Sequence, residues 1–397
     1  MSILTLNSGS SSLKFALFEE PACDELASGL VDWRGSGENI TLTLRSPAIG
    51  ERRSCAEVAD YGEAVGWILR SLVEDTLDKP VRIVGHRVVH GGTEFRQTTR
   101  IDERISQSLE RISNLAPLHN PPALATIEAA QAALPDAPQI AVFDTAFFAN
   151  LPPRAFLYPV PYEWYQQYGI RRFGFHGISH AYCTARATEL LGRHDPAPLR
   201  LIICHLGNGC SATAVRDGRP VATTMGFTPL EGLMMGTRSG SIDPGILIHL
   251  MQQQGFDADR LEESMNRRSG LLGVSGNSSD FREVEQAADA GNERARLAIE
   301  MFADRVRSTI GSLAVSLGGV DALIFTAGIG EHSSTLRSRV CGGLQCLGLH
   351  LDADKNQCRP ADCDIATTQS AGRILIIRTR EEQMIAREAQ RLFTHPT

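Results

Sequence analysis

Long apolar segments are missing from this sequence. No uninterrupted apolar run reaches the roughly 18 residues that a membrane-spanning helix needs, which argues against an integral membrane protein. A surplus of basic residues is missing too, because the formal net charge is −7. A general nucleic-acid binder needs a basic face that neutralises phosphates, so this class is also disfavoured. The first residues carry short apolar pieces interrupted by Asn7 and serines, which is not the pattern of a signal peptide. This pattern predicts a cytoplasmic protein.

Paired cysteines and the familiar nucleotide-binding loops are lacking as well. The nine cysteines are scattered and never form a C-x-x-C pair, so free thiols are expected. Neither G-x-x-x-x-G-K-[ST] nor G-x-G-x-x-G occurs, and Lys14 follows serines rather than a glycine. If this chain binds a nucleotide, it therefore does so through glycine turns of another kind.

The chain is long enough for two domains, since its 397 residues exceed one ordinary core. Two strand–turn–strand patterns lie about half a chain apart. Residues 3–7 and 13–18 flank a serine-rich turn, and residues 201–206 and 210–215 flank Gly207-Asn208-Gly209. Gly9 aligns with Gly209, and Ser11 with Ser211. The repeat predicts a duplicated α/β fold in which each half begins with a hairpin.

Other elements follow from local patterns. Strands are predicted over residues 82–89 and 139–144, and a helix over residues 121–134 with Asn120 as its N-cap. The proline-rich residues 151–177 are interpreted as the crossing between domains. Asp280 has capping-box spacing with Glu283 before one helix that runs to about Leu317.

The last third of the chain contains a pattern that suits an anion. It comprises a strand over residues 321–326, a loop over Gly328-Ile329-Gly330 and a helix from Glu331 onward. Backbone amides and a helix dipole would face a phosphate in such a cradle. An amphipathic helix over residues 380–393 is predicted to close the chain.

Seven short segments occur in one order along nearly the whole chain. They are residues 7–14 (NSGSSSLK), 86–92 (HRVVHGG), 173–177 (FGFHG), 205–209 (HLGNG), 235–240 (MGTRSG), 327–331 (AGIGE) and 381–382 (EE). This set resembles the signature segments of the acetate kinases, within the superfamily of acetate and sugar kinases, heat-shock proteins and actin. The resemblance implies two duplicated ribonuclease-H-like α/β domains of the actin-like ATPase fold with a central cleft. Domain I would comprise residues 1–148 with the helix at 383–397, and domain II, the nucleotide-binding and main dimerisation domain, residues 149–382.

The resemblance implies reversible, direct in-line phosphoryl transfer from ATP to acetate, giving acetyl phosphate and ADP. Acetate is already an anion, so no general base is needed, and repulsion between two anions is the main obstacle. Arginine meets it because its planar fork stays charged and binds two oxygens. By the resemblance, Arg87 holds the carboxylate, Arg238 holds the migrating phosphoryl group, and His176 donates to the phosphoryl oxygens. The alternative for any arginine is a surface salt bridge.

Further roles concern Asp144 and the metal. Asp144 follows an apolar strand, where α/β sheets bind ligands, and is expected to orient an arginine or magnesium waters, or else to cap the next segment. The resemblance assigns Mg²⁺, with Mn²⁺ as a substitute, to Asn7 and Glu381. Glu381 could instead be a favourable charge in the first turn of the last helix. Arg380 stands where relatives are expected to carry asparagine.

The resemblance also implies binding sites for ATP and for the acyl group. Asp280 has N-capping as its alternative role. Val89 favours acetate, but an added methylene is worth only ~1–3 kcal/mol, so propionate stays open. The acyl-site residues are Val89, Leu118, Phe175 and Pro229. The ATP-site residues are Lys14, His205, Leu206, Gly207, Asn208, Gly209, Asp280, Phe281, Arg282, Gly328, Ile329, Gly330, Glu331 and His332.

Three functions remain open at this level: an acetate kinase, a propionate or butyrate kinase of the same family, and a non-kinase actin-like ATPase. The third gives no reason for Arg87, His176 and Arg238 together. The resemblance further implies a homodimer that acts on small molecules, and charge and hydropathy predict neither a nucleic-acid nor a membrane partner. A closure of the domains over the ligands is also predicted, because water must be excluded from a reactive acyl phosphate.

Overall fold

The computed structural model describes residues 2–9, 12–33, 40–75, 80–117, 119–192, 198–357 and 362–395. The chain forms two compact units, unit 1 with Met1–Ala149 and Arg380–Thr397, and unit 2 with Asn150–Thr379. Both units contain one β-sheet with helices. Within the described ranges, no helix has the length and apolar character needed to cross a membrane.

A mixed sheet of eight strands forms the centre of unit 1. Its spatial order is β5-β4-β3-β2-β1-β6-β8-β7. The neighbours β1, β6 and β8 run parallel, and the remaining pairs are antiparallel. In chain order the strands are β1 (Ser2–Gly9), β2 (Ser12–Glu19), β3 (Asp24–Asp32), β4 (Ile40–Ser46), β5 (Gly50–Ala56), β6 (Val81–Val88), β7 (Thr99–Arg100) and β8 (Gln139–Phe143).

Three helices follow in unit 1: α1 (Tyr61–Asp75), α2 (Glu103–Ile112) and α3 (Asn120–Ala133). The core shows why α1 and the sheet come together. Leu13 and Leu17 lie on one face of β2, because alternate residues of a strand share a face. Val65, Ile68 and Leu72 form the buried stripe of α1, at helical spacing, in the same apolar cluster.

The sheet of unit 2 repeats the central order of the sheet in unit 1. Its order is β11-β10-β9-β12-β14-β13, with β9, β12 and β14 parallel. A hairpin therefore precedes parallel neighbours in both units, and the predicted duplicated α/β fold is confirmed. In chain order the strands are β9 (Arg200–Leu206), β10 (Cys210–Arg216), β11 (Arg219–Thr223), β12 (Ala322–Thr326), β13 (Cys363–Asp364) and β14 (Arg373–Ile376).

Eleven helices are described in unit 2. They are α4 (Pro153–Phe156), α5 (Tyr162–Tyr168), α6 (Gly177–Leu191), α7 (Pro244–Gln254), α8 (Ala258–Arg267), α9 (Gly270–Ser275), α10 (Phe281–Asp289), α11 (Glu293–Leu317), α12 (Ala327–His332), α13 (Ser334–Cys341) and α14 (Ala353–Gln357). The prediction that residues 151–177 form the crossing between domains is wrong, because α4 and α5 belong to unit 2 and the chain leaves unit 1 after Ala149.

Two helix predictions need correction. The single helix after Asp280 is in fact α10 and α11, because Gly291 adopts a left-handed φ of 94° and Asn292 then caps α11 by accepting from the amide of Ala295 at 3.1 Å. Asn120 is not an N-cap. It is the first residue of α3, and its side chain accepts from the amide of His90 at 3.1 Å and donates to the carbonyl of His90 at 3.0 Å.

The predicted loop at Gly328-Ile329-Gly330 is also wrong, because these residues lie inside the short helix α12. The last helix, α15 (Glu381–Thr394), returns the chain to unit 1 and buries Ile385 and Ala389. It lies very close to β6, since a Cβ on Gly85 would stand 2.8 Å from the side chain of Ile385. This contact fixes the N-terminus of α15 beside the sheet.

Candidate functional site

The first polar cluster lies in unit 1 around Arg87. Its Nε and Nη2 donate to Asp144 Oδ2 at 3.2 and 2.6 Å, and its Nη1 donates to Asn7 Oδ1 at 3.1 Å. Asn7 Nδ2 donates onward to Glu381 Oε2 at 3.4 Å and to Glu382 Oε1 at 3.3 Å. These five residues form one continuous network of hydrogen bonds.

Three parallel strands explain how this network forms. Asn7 lies near the end of β1, Arg87 near the end of β6, and Asp144 directly after β8. Because β1, β6 and β8 are neighbours, their carboxyl ends share one edge of the sheet, where α/β folds bind ligands. The first turn of α15 adds Glu381 and Glu382. Lys14 lies opposite Asn7 in the β1–β2 ladder, and its side chain is exposed.

Negatively charged side chains outnumber positively charged ones around Arg87. Burial lowers the pKa of its guanidinium, but Asp144, Glu381 and Glu382 outweigh burial and hold that pKa above its ordinary value. Asp144 is fully buried, so its carboxylate depends on Arg87 for compensation. Of the five N–H groups of Arg87, three are used by Asp144 and Asn7, which leaves two for an anionic ligand.

The same cluster supplies oxygen ligands of the kind that Mg²⁺ prefers. Asn7 Nδ2 lies within hydrogen-bond distance of the carboxylates of both Glu381 and Glu382. Magnesium takes one or two carboxylates and retains several waters. The two carboxylates therefore fit Mg²⁺, and they include Glu382, which the prediction from sequence omitted, whereas the side-chain oxygen of Asn7 faces Arg87 in this arrangement.

The second cluster lies in unit 2 at the turn between β9 and β10, where Gly207-Asn208-Gly209 joins the two strands. The rings of His176 and His205 stack with centroids 4.1 Å apart. A Cβ on Gly207 would lie 3.9 Å from His205 Nε2, and one on Gly209 would lie 3.3 Å from His176 Nε2. Two imidazoles therefore present the same ring nitrogen to the two glycines of one turn.

Buried hydroxyl groups hold the other nitrogens of these rings. His176 Nδ1 is 3.0 Å from Ser211 Oγ, and His205 Nδ1 is 2.8 Å from Ser179 Oγ. Ser211 also contacts His180 Nε2 at 2.8 Å. Burial, and then His205, lower the pKa of His180 well below its ordinary value, so this ring is neutral.

Arg238 adjoins the same turn. Its Nη1 lies 3.8 Å from the position of a Cβ on Gly209, next to His176, and donates to the carbonyl of Pro229 at 3.3 Å. In the part of the chain that the structure describes, no carboxylate lies within ion-pair distance of it. Burial lowers the pKa of Arg238, with a smaller opposite contribution from Cys210. A partly buried cation without an anionic protein partner is suited to an anionic ligand.

Asn208 is held at the turn by Gly236, whose amide donates to the Asn208 carbonyl at 3.0 Å. A Cβ on Gly236 would stand only 2.1 Å from Asn208 Oδ1, so no side chain fits there. Gly236 precedes Arg238 by two residues. One short segment thus carries Arg238 and supports Asn208.

The other predicted ATP-site residues have structural contacts of their own. Asp280 caps α10 and pairs with Arg282 at 2.5 Å. Arg282 lowers the pKa of the Asp280 carboxyl, and burial raises it by less, so this pKa lies below its ordinary value. Phe281 is buried and packs on Phe302 of α11, with ring centroids 5.6 Å apart. These contacts do not test nucleotide binding, which stays a prediction for all three.

The α12 segment differs from the expected anion cradle. The amide of Ala327 donates to Glu331 Oε1 at 2.9 Å, so the chain's own carboxylate occupies the start of this helix. Glu331 also accepts from the amide of Thr379 at 3.1 Å. Gly328 is exposed with open space at its Cβ position, and His332 is exposed. Ile329 and Gly330 lie within the same helix, and Gly330 packs beneath Leu206 of β9.

The predicted acyl-site residues lie in both units. Val89, in unit 1, is buried two residues after Arg87. In unit 2, Phe175 is buried directly before His176, and Pro229 contacts Arg238 through its carbonyl. Leu118 lies outside the described residues.

One polar group near this site was missed by sequence reasoning. Arg172 donates to Glu231 Oε1 at 2.6 Å, and Tyr158 donates to the other oxygen of Glu231. Burial raises the pKa of the Tyr158 hydroxyl despite Arg172, so it stays protonated. The amide of Phe173 donates to the carbonyl of Gly226 at 2.9 Å. These hydrogen bonds connect the segment before His176 to the loop around Pro229. In the sequence, the only sign of this polar group is that Arg172 directly precedes the FGFHG segment.

Comparison with known proteins gives one consistent result. The family model described as the acetokinase family matches residues 2–387. An acetate kinase of a Cyanothece species is 50% identical, covering 99% of this chain and 98% of that protein. The structure of Porphyromonas gingivalis acetate kinase is similar with a TM-score of 0.90 and 40% identity, covering 99% of each chain. A propionate kinase of Francisella tularensis is similar with a TM-score of 0.91 and 38% identity, covering 98% of this chain and 99% of that one.

Proposed function

The chain belongs to the acetokinase family, and on this premise we propose that it transfers the terminal phosphoryl group of ATP reversibly to acetate, giving acetyl phosphate and ADP. The observation that carries the proposal is Arg238 beside His176 at the glycine turn, a cation whose protein partner is a carbonyl rather than a carboxylate. Such a group is suited to the charge on a migrating phosphoryl group. Because ATP is the proposed co-substrate, we infer that the protein acts in the cytoplasm.

In unit 1, Arg87 binds the carboxylate of acetate through its two remaining N–H groups. Asp144 orients the guanidinium with two hydrogen bonds to one carboxylate oxygen. No side chain has to remove a proton, because acetate arrives as an anion. Asp144 is therefore proposed as an orienting group and not as a base.

In unit 2, Arg238 and His176 stabilise the phosphoryl group during transfer. The charge of a loose transition state spreads over three equatorial oxygens, and fixed donors stabilise it without reorganisation. His176 suits this role because Ser211 holds its Nδ1, so that Nε2 faces the turn at Gly209. Asn208 and the neighbouring residues of the turn bind the phosphates of ATP.

Mg²⁺ is the proposed cofactor, held by Asn7 and Glu381 with Glu382 as a further ligand. The ion, when bound, neutralises part of the phosphate charge. Arg87 donates to Asn7 Oδ1 and so restrains the side chain that contacts both carboxylates. Glu381 and Glu382 remain in the first turn of α15, where the helix dipole also favours negative charge.

Propionate is the second candidate substrate, because the chain is similar over its full length to a propionate kinase. Val89 and Phe175 are proposed to limit the acyl group. Since one methylene changes binding by only ~1–3 kcal/mol, the preference between acetate and propionate is expected to be graded rather than absolute.

A direct test measures acyl phosphate trapped by hydroxylamine, with ATP, Mg²⁺ and formate, acetate, propionate or butyrate. The proposal predicts the highest kcat/KM for acetate, and little hydrolysis of ATP without a carboxylate. Hydrolysis that is independent of carboxylate, with no trapped product, would instead identify an actin-like ATPase.

We also propose a homodimer built through unit 2. The helix α7 has no buried residue, and it exposes Ile246, Ile248 and Met251, which are 47%, 56% and 50% exposed. Apolar side chains grouped on one exposed helix are typical of an interface. The variant Ile246→Glu with Ile248→Glu is expected to be monomeric by light scattering, and a dimer that survives both changes would exclude α7 from the interface.

A further inference from the structure

The hydroxyl group of Ser179 occupies a fully buried position on the first turns of α6. It accepts a hydrogen bond from Thr379 Oγ1 at 2.9 Å and lies 2.8 Å from His205 Nδ1. Within the described ranges these two groups are its partners. Neither Ser179 nor Thr379 is needed for the chemistry described above, which makes their placement behind His205 informative.

The direction of these hydrogen bonds follows from counting protons. A serine hydroxyl carries one proton, and in a buried position that proton needs an acceptor. Thr379 acts as the donor toward Ser179, so it does not receive the proton of Ser179. His205 Nδ1 is then the acceptor. A neutral imidazole that accepts at Nδ1 carries its own proton on Nε2.

The position of the ring gives this tautomer a consequence. His205 Nε2 is the atom beside Gly207, at the turn proposed to bind the phosphates of ATP. An Nε2–H group there donates to a phosphate oxygen, whereas the other tautomer would present a lone pair and repel it.

We propose that Ser179, held by Thr379, is a positioning residue that fixes His205 as a neutral imidazole with its proton on Nε2, directed at a phosphate of the nucleotide. This inference rests on the proposed function for the identity of the ligand. The tautomer itself rests only on contacts within unit 2. The two parts can therefore be tested separately.

Long-range ¹H–¹⁵N correlation spectra of the full chain labelled with ¹⁵N-histidine report the tautomer, because protonated and unprotonated ring nitrogens resonate at well-separated frequencies. The signal of His205 among the 11 histidines is assigned by its loss in His205→Gln. The expected wild-type spectrum has a protonated Nε2 and an unprotonated Nδ1. In Ser179→Ala a fraction of His205 is expected to shift to the tautomer protonated on Nδ1.

Activity supplies the second readout. Loss of one oriented hydrogen bond is expected to lower kcat/KM for ATP about tenfold in Ser179→Ala, while the KM for acetate stays within about twofold. Thr184→Val is the matched control, because it removes another hydroxyl of α6, one that donates to the carbonyl of His180 at 2.7 Å and does not contact His205. The control is expected to change neither the spectrum nor kcat/KM.

Three results would overturn the inference: a wild-type His205 protonated on Nδ1, an unchanged tautomer in Ser179→Ala, or a shifted tautomer with unchanged kcat/KM for ATP. A wild-type protein with the expected tautomer but no phosphorylation of any carboxylate would refute the proposed function and still support the assignment of the proton.

Discussion

Replacing Arg238 by alanine is expected to remove most of the activity and little of the stability. In phosphoryl transfer, a single arginine on the migrating group is worth about 10³-fold or more in kcat, and a loss of about 10³-fold corresponds to about 4 kcal/mol of transition-state stabilisation. The KM for ATP is expected to change much less, because Asn208 and the glycine turn remain.

The small effect on stability follows from the few contacts of Arg238. The one hydrogen bond of its side chain within the described residues goes to the carbonyl of Pro229, at the long distance of 3.3 Å. A hydrogen bond of a charged group contributes about 1.5–3 kcal/mol to the free energy of unfolding, and the length of this one places it at the low end of that range. Burial opposes the charged guanidinium, as the lowered pKa indicates, so removing it also relieves a cost.

Arg87 provides the opposite case within the same protein. Its removal leaves Asp144, which is fully buried, without the cation that donates to it twice. Breaking one side of a buried ion pair costs about 3–5 kcal/mol. Arg87→Ala is therefore expected to lose both activity and stability, whereas Arg238→Ala loses mainly activity.

The assay compares three variants by acyl phosphate formation and by urea-induced unfolding. Arg305→Ala is the matched control, because Arg305 also donates to one carbonyl, that of Ser241, at 3.3 Å, but is exposed. It is expected to retain both activity and stability. The reasoning would be refuted if Arg238→Ala kept more than about a tenth of wild-type turnover, or if it lost as much stability as Arg87→Ala.

Two further predictions concern single residues. Gly236→Ala is expected to displace Asn208, because the new Cβ would stand 2.1 Å from its Oδ1. The KM for ATP should then rise at least severalfold in steady-state assays. Gly311→Ala, which has open space at its Cβ position, serves as the control. Burial lowers the pKa of His86 to about 4, against the opposing effect of its hydrogen bond to Gln139 Oε1, which accepts. The unfolded chain takes up this proton near pH 6.5 and the folded chain near pH 4, so stability falls as the pH drops between them, by up to about 3 kcal/mol. Urea unfolding at pH 6.5 and 4.5 should show a smaller fall in His86→Phe, and an equal fall in both proteins would contradict this account.

The elements of the fold were predictable wherever their cause is local. The two hairpins depend on small-residue turns between apolar strands, and β9 and β10 begin and end within one residue of their predicted positions. The break between α10 and α11 was also local, at Gly291 and Asn292, but a helical pattern on both sides concealed it. A glycine inside a helical pattern is tolerated at a cost of about 1 kcal/mol, so it does not by itself mark the end of a helix.

Errors arose where the partner of a side chain is distant in sequence. Asn120 has the composition of an N-cap, yet it binds the backbone of His90, because that buried peptide needs both a donor and an acceptor. Glu331, whose place beside ATP stays a prediction, also has a distant partner that was not predicted, since it accepts from the amide of Thr379. No pattern around either residue indicates these contacts.

The candidate site shows the same limit with larger consequences. In sequence, Arg87 and Arg238 are equivalent, since each is an arginine inside a glycine-containing signature segment. Asp144 pairs with Arg87 only because β6 and β8 are neighbours in the sheet, and Arg238 in unit 2 has the carbonyl of Pro229 in place of a carboxylate. One arginine is therefore held by the fold, and the other is left to compensate a ligand. A signature segment can identify both as functional, but the difference in what each costs the folded protein depends on strand order, which only the structure supplies.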